Sequence, residues 1–151
     1  RHPEHQKWLR EHPGSLADAA DELMRRYPTV GVSRNAIGDL RIDGVTIRSG
    51  DLVYLPSVLH NLDPKSFDRP EEVQFDRGLT PIRHTTMGVG AHRCVGSGLA
   101  RMEVIVFLEE WLGRMPQVRL DPSRPVAMKG GNVGACTTLP LIWDVSEEAQ
   151  G

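Results

Sequence analysis

The spacing of apolar residues changes several times along this chain. Leu16, Ala19, Ala20, Leu23, Met24 and Tyr27 recur at helical intervals until Pro28 stops the run, which predicts a helix with one buried face. Ser15 stands at its N-cap position with Asp18 three residues on, a start of the capping-box kind. Ahead of it, the stretch from Pro3 to about Glu11 reads as a short helix with proline in its first turn, ended by Pro13-Gly14. From Leu40 the period becomes two. Leu40 and Ile42, an Asp43-Gly44 turn, Val45 and Ile47, a Ser49-Gly50-Asp51 turn, then Leu52 to Leu55 predict a small antiparallel meander. Between residues 61 and 90 neither period holds, yet apolar anchors recur at Leu62, Phe67, Val73, Phe75 and Leu79; a loop of that length inside a compact unit usually carries function. Leu99, Met102, Ile105, Val106, Leu108, Trp111 and Leu112 then form a wide apolar band that predicts a long buried helix over residues 99–115. The tail holds short strands around residues 118–120 and 137–143, with Pro140 marking an edge and Gly130-Gly131-Asn132 a turn. The expected class is mainly α with small antiparallel β-sheets, an α+β arrangement.

Composition narrows the partners. With 151 residues, 39% hydrophobic and 25% charged, the chain suits one compact unit and excludes global disorder. Eighteen basic against twenty acidic residues give a formal charge of -2, no footprint for gripping a phosphate backbone, so nucleic acid is not an expected partner. The longest unbroken apolar run extends only from Val104 to Leu108, where a membrane span needs about 20 residues. The segment from Arg1 to Glu11 is charged and has no secretion-signal pattern; a chain that opens on arginine is read as having lost its natural beginning. Two cysteines, Cys94 and Cys136, do not make a disulfide scaffold and point to a reducing, cytoplasmic setting.

The chemistry concentrates in the stretch from Met87 to Ala100, a glycine-rich loop running into the long helix. Cys94 sits at that junction, where free backbone N–H groups favour a thiolate. Gly88, Gly90, Gly96 and Gly98 remove side chains that would hold a flat ligand off the backbone, and they permit left-handed turns. A phosphate loop would need a preceding strand and a lysine, and neither is present. A Cys94–His92 nucleophile has only one residue between its members, which need not bring their side chains together. A zinc site would need four ligands. A free cysteine in an ordinary strand-to-helix turn leaves the four glycines unexplained, whereas one thiolate ligating a haem accounts for all of them.

The pattern Gly88-x-Gly90-x-His92-x-Cys94-x-Gly96-x-x-Leu99-Ala100 resembles the haem-binding signature of the cytochrome P450 superfamily of haem-thiolate monooxygenases. Glu22-Leu23-Met24-Arg25 is similar to that family's E-x-x-R motif, and the segment from Asn61 through Phe67, Pro70 and Phe75 to its irregular loop. The ending Leu139-Pro140-Leu141-Ile142-Trp143 and the helix carrying Trp111 resemble the bacterial camphor-hydroxylase branch. Taken alone, Glu22 and Arg25 are a surface pair contributing about 0.2 to 0.5 kcal/mol. The resemblance makes them an interior ion pair joined by Arg77, closed by hydrogen bonds because an unpartnered interior charge costs on the order of 3 to 5 kcal/mol.

The resemblance implies the rest. Residues 1–151 would be the C-terminal, haem-ligating portion of the cytochrome P450 fold, without the N-terminal portion that carries the acid and threonine of oxygen activation. The cofactor would be haem b, iron protoporphyrin IX. Cys94 would be the metal ligand, tuned by the N–H of Gly96 and neighbours. Arg34 and His92 would meet the propionates, and Gly88, Gly90 and Gly96 would allow close approach. Met87 stands where the family most often has phenylalanine, so a flexible thioether would shield the sulfur. His84 is read as structural or as a surface histidine. Thr29, Val30, Gly31 and Val32, with Asn132 and Val133, would line a pocket for a small hydrophobic substrate. Arg83, Arg93 and Arg101 would attract a ferredoxin-type electron donor. The implied activity is insertion of one oxygen atom from O2 into that substrate; the alternative is a non-catalytic haem-binding or haem-free scaffold. Apolar surface on the helix over residues 99–115 would drive self-association or binding to a partner chain.

Overall fold

A computed structural model describes residues 2–78 and 83–144; of the apolar anchors named above, Leu79 lies outside them. The chain folds into helices α1 (Pro3–Glu11), α2 (Leu16–Arg26), α3 (Ser57–Asn61) and α4 (Ser97–Arg114). Strands β1 (Gly31–Asn35), β2 (Leu40–Ile42), β3 (Val45–Ile47), β4 (Leu52–Pro56), β5 (Val118–Leu120), β6 (Ala127–Lys129), β7 (Ala135–Thr138) and β8 (Leu141–Trp143) form four two-stranded antiparallel sheets. This is the mainly α architecture with small sheets that the pattern predicts.

The helical core is built by Leu9, Leu16, Ala19, Phe75 and Leu112, with Trp8, Leu23, Val73, Ile105, Leu108 and Trp111 packed around them. Phe75 enters it from the irregular loop, its ring 5.2 Å from those of both His5 and Trp8. Helix α1 also fastens the far end of α4: Arg10 Nη2 donates to Met115 O at 2.9 Å, and Gln6 exchanges two hydrogen bonds with the backbone of Val118. No helix among the described residues is long and apolar enough to cross a membrane.

Four expectations are corrected. Ser15 does not cap α2, because it belongs to a 3-10 turn (Pro13–Ser15) and its φ of -99° and ψ of 5° lie away from the extended geometry a capping side chain requires. The three-stranded meander is instead two separate pairs. The Asp43-Gly44 turn closes β2 on β3, with both residues at positive φ (48° and 84°), but β4 pairs with β1, Gly31 opposite Pro56 and Asn35 opposite Leu52. The second turn is stitched to Ala36, whose N–H donates to Asp51 O at 2.9 Å and whose carbonyl accepts from Gly50 N at 2.8 Å, so the chain leaves β3 and runs along β1. The tail strand divides at Leu139-Pro140, since proline has no N–H to continue a ladder; β7 pairs with β6 and β8 with β5. Helix α4, expected to be buried, is covered on one side only: Leu112 is buried, while Leu99, Met102, Val106 and Phe107 remain 49–59% exposed.

Candidate functional site

The site is assembled from α2 outward. Glu22 and Arg25 lie one turn apart on the same face and are both fully buried. Arg25 Nε and Nη2 donate to the two oxygens of Glu22 at 2.7 and 2.8 Å. Its remaining donors go to backbone carbonyls: Asn61 O at 2.7 Å, Pro70 O at 2.8 Å and Glu72 O at 2.9 Å. All five guanidinium N–H groups therefore have acceptors. Glu22 in turn accepts from Arg77 Nε, 3.1 Å from both oxygens, and from Gln74 N at 2.9 Å. The structure thus brings Glu22, Arg25 and Arg77 together, and with them the irregular loop, without any regular secondary structure among the described residues of 62–89.

Asn61 plays a part that sequence reasoning missed. It is fully buried at the end of α3, and its amide Nδ2 donates to Arg25 O at 3.0 Å and to Thr86 Oγ1 at 2.9 Å. Its Oδ1 accepts from Thr85 N at 2.9 Å and Thr85 Oγ1 at 3.2 Å, while Thr86 Oγ1 donates to Met24 O at 2.7 Å. The chain just ahead of Met87 is thereby hung from α2. An asparagine before a turn carries no periodic signal; only the fold reveals these partners.

Beyond Thr86 the chain makes two tight turns. Gly88 N donates to Thr85 O, Arg93 N to Gly90 O, and Cys94 N closes the loop on Met87 O at 2.8 Å. Gly88 and Gly90 have φ of 73° and 70°, the left-handed region in which a side chain at either position would be strained. Gly96 and Gly98 do not adopt this conformation, which corrects the expectation for the whole set. Gly96 acts differently: a Cβ there would lie 3.8 Å from Cys94 Sγ, so its absence keeps the flank of the sulfur clear.

Cys94 is exposed and faces a cavity of about 710 Å³. One wall is the β1–β4 sheet, with Val30, Val32 and Leu55; the other is the loop, with Met87, Gly88 and Cys94. Arg34 and His92 also line it, both exposed; Arg34 Nη1 donates to Ser33 O at 2.8 Å, and among the described residues no carboxylate pairs with it. Gly90 and Gly96 shape the loop but do not line the cavity. Of the residues expected along a substrate pocket, Val30 and Val32 line it. Thr29, Gly31, Asn132 and Val133 form a seam instead: Gly31 N donates to Asn132 O at 2.9 Å, Gly134 N to Thr29 O at 2.6 Å, and Val30 bridges Val133. Gly31 leaves room for the phenol of Tyr54, which a Cβ would strike.

The three arginines flanking the loop part company. Arg83 and Arg93 are exposed. Arg101 forks onto Asp21, Nε to Oδ1 at 2.8 Å and Nη2 to Oδ2 at 3.0 Å, and the expectation of a free docking charge is corrected by that pair. His84 is buried, with no hydrogen-bond partner for either ring nitrogen among the described residues; burial holds its pKa below the ordinary 6.5, against the opposing pull of the Asp21 carboxylate. It is a structural histidine, not a surface one. His2, Glu4 and His5 cluster at the start of α1, but none lines the cavity.

An iron porphyrin requires an apolar slot, one axial donor and cations for its carboxylates. The cavity volume falls in the range of about 300–1,000 Å³ usual for ligand pockets. Among the described residues Cys94 is the one exposed sulfur on its lining, Gly88 of the same loop adds no side chain, and the basic Arg34 and His92 line it without a carboxylate partner. These residues fit the group.

Comparison with known proteins agrees. The family described as Cytochrome P450 matches residues 16–129. Among solved structures, that of cytochrome P450 CYP101C1 is 75% identical with a TM-score of 0.90, over 96% of this chain and 37% of that one. A probable cytochrome P450 127A1 of Sinorhizobium fredii is 39% identical over 95% of this chain, and a 20-oxo-5-O-mycaminosyltylactone 23-monooxygenase of Streptomyces fradiae is 42% identical over 95%. The chain spans about a third of the length of these relatives, 34% of each curated one. The family binds haem b, and the match to CYP101C1 agrees with the camphor-hydroxylase-like branch. Signature loop, buried ion-pair network and these matches together show that the chain belongs to the cytochrome P450 family.

Proposed function

We propose that this chain is the haem-ligating portion of a monooxygenase, residues 1–151 forming the C-terminal part of its domain, that inserts one oxygen atom from O2 into a small hydrophobic substrate. Cys94 facing an apolar cavity across a glycine-lined loop carries the reading. Haem b, when bound, supplies the redox centre at which O2 is activated. Cys94, as thiolate, would ligate the iron, and backbone N–H groups following it, that of Gly96 included, would tune its basicity. Gly88 and Gly90 turn the loop so that no Cβ stands between backbone and ligand, and Gly96 leaves the sulfur accessible. Arg34 and His92 would neutralise the propionates, and Met87 would cover the sulfur with a polarizable thioether. Val30 and Val32 present apolar surface to the substrate, on a strand whose start is held by the seam of Thr29, Gly31, Asn132 and Val133. Exposed Arg83 and Arg93 supply positive charge to steer an acidic, ferredoxin-type donor. The two exposed free cysteines fit a reducing compartment, the cytoplasm. The exposed apolar face of α4 supports self-association.

The test is the absorption spectrum of the reduced, carbon-monoxide-treated protein. A Soret band shifted to long wavelength supports thiolate ligation, and Cys94→Ala abolishes it. Survival of the shifted band in that variant rules out Cys94 as the ligand; absence of haem absorption in the parent protein favours the scaffold alternative.

A further inference from the structure

We infer that Arg101 and Asp21 form a positioning pair for Cys94, fixing the second end of the ligand loop on the same helix that holds its first end; this rests on the haem-thiolate reading above. The first anchor is Thr86, which donates to Met24 O on α2 at 2.7 Å and is backed by Asn61. The second is Arg101, in the second turn of α4, forked onto Asp21 of α2 at 2.8 and 3.0 Å, with Nη2 also 3.3 Å from Ala17 O. Asp21 and Met24 are three residues apart, an axial rise of about 4.5 Å on a rigid helix. Residues 87–96, Cys94 among them, run between these two points, and α2 sets their separation. Inside the span the chain is held by single backbone bonds such as Cys94 N to Met87 O. The position of the sulfur against the β1–β4 wall therefore depends on both anchors.

The geometry argues against docking as the main task of Arg101. A planar fork on a carboxylate that is 1% exposed commits Nε and Nη2 and leaves only Nη1 for a partner. The hydrogen bonds to Asp21 hold the Arg101 pKa above its already high ordinary value, so the guanidinium keeps its charge. Arg83 and Arg93 have no such commitment among the described residues.

The experiment uses the haem-loaded protein and follows two signals during gentle heating: the long-wavelength Soret band of the reduced, carbon-monoxide-bound form, and helical circular dichroism. Arg101→Gln should lose the shifted band about tenfold faster than the parent while helical signal persists, the effect expected when a buried carboxylate loses its partner. Asp21→Asn should match it, the double variant should be no worse than either single one, and Arg101→Lys should restore part of the loss. Leu112→Ala, a core variant, should lose both signals together. Band and helix signal failing in step in Arg101→Gln, or an unchanged rate of band loss, overturns the inference. Should Arg101→Gln not fold, Asp21→Asn is read by the same two criteria. An unchanged band with donor electron transfer that loses its salt dependence would assign Arg101 to docking and likewise overturn it. A parent protein without the shifted band, or a Cys94→Ala variant that keeps it, would instead remove the haem-thiolate reading itself.

Discussion

Helices α2 and α4 lie against each other and treat polarity in opposite ways. On α2, Asp21, Glu22 and Arg25 are 0–1% exposed, the most deeply buried large side chains together with Asn61. On α4, Leu99, Met102, Val106 and Phe107 are about half exposed. The contrast follows from what each surface must do. Apolar packing tolerates repacking, whereas an ion pair with every donor and acceptor engaged accepts one geometry, so the charges stand where an irregular loop has to be held in one place. The described residues of the 62–89 loop have no ladder of their own, and Arg25, Arg77 and Asn61 supply the bonds that a sheet or helix would otherwise provide. The apolar side of α4 is surface that a covering chain can bury, and it asks only for area.

Three further experiments bear on that contrast. Glu22→Ala should have the largest effect, because it strands the buried Arg25 and frees Arg77; a loss of about 3–5 kcal/mol in urea-induced unfolding is expected, and a loss within the range of a surface pair would place the network outside the load on the loop. His84 comes next. Burial lowers its pKa, with Arg25 and Arg93 in the same direction and Asp21 and Glu22 opposing. The unfolded chain then binds a proton that the folded chain resists, so stability is full above the ordinary 6.5 and falls as pH drops below it toward the folded value. His5, also lowered chiefly by burial, adds the same sign. Urea midpoints taken at about pH 7.5 and 5.5 should differ less in His84→Leu than in the parent; an undiminished difference would show that His84 does not titrate against the fold. The smallest effect on stability belongs to α4. Phe107→Ser should change the unfolding free energy by about 0.5 kcal/mol or less yet lower the association seen by sedimentation velocity. A destabilisation as large as that of a core residue would mean that this face is already covered.

Much of the architecture was readable in the residues. The runs ending at Glu11 and near Pro28 and the Asp43-Gly44 hairpin come from local periodicity and turn chemistry, and α1, α2 and the β2–β3 pair follow them closely. The glycine–cysteine loop was readable because its composition is unusual, and two of its glycines do turn left-handed. Pairings that depend on distant partners were not. β4 leaves β3 for β1 because Ala36 and Asp51 meet across the sheet, a contact with no local signature. Asn61 and Arg101 each look like ordinary polar residues on a helix, and their roles exist only because α2 brings Arg25 O and the Asp21 carboxylate to them. Ser15 illustrates the reverse case, a good local signal overruled when a 3-10 turn took the position.

The residues alone determined the elements, the loop and the sulfur with its glycine flank, because φ preference, periodicity and ligand chemistry act over a few positions. Tertiary structure decided which strand pairs with which, which charges are interior, and where Cys94 stands relative to the opposite wall. Those outcomes depend on hydrogen bonds between groups dozens of residues apart, which short-range preference does not encode.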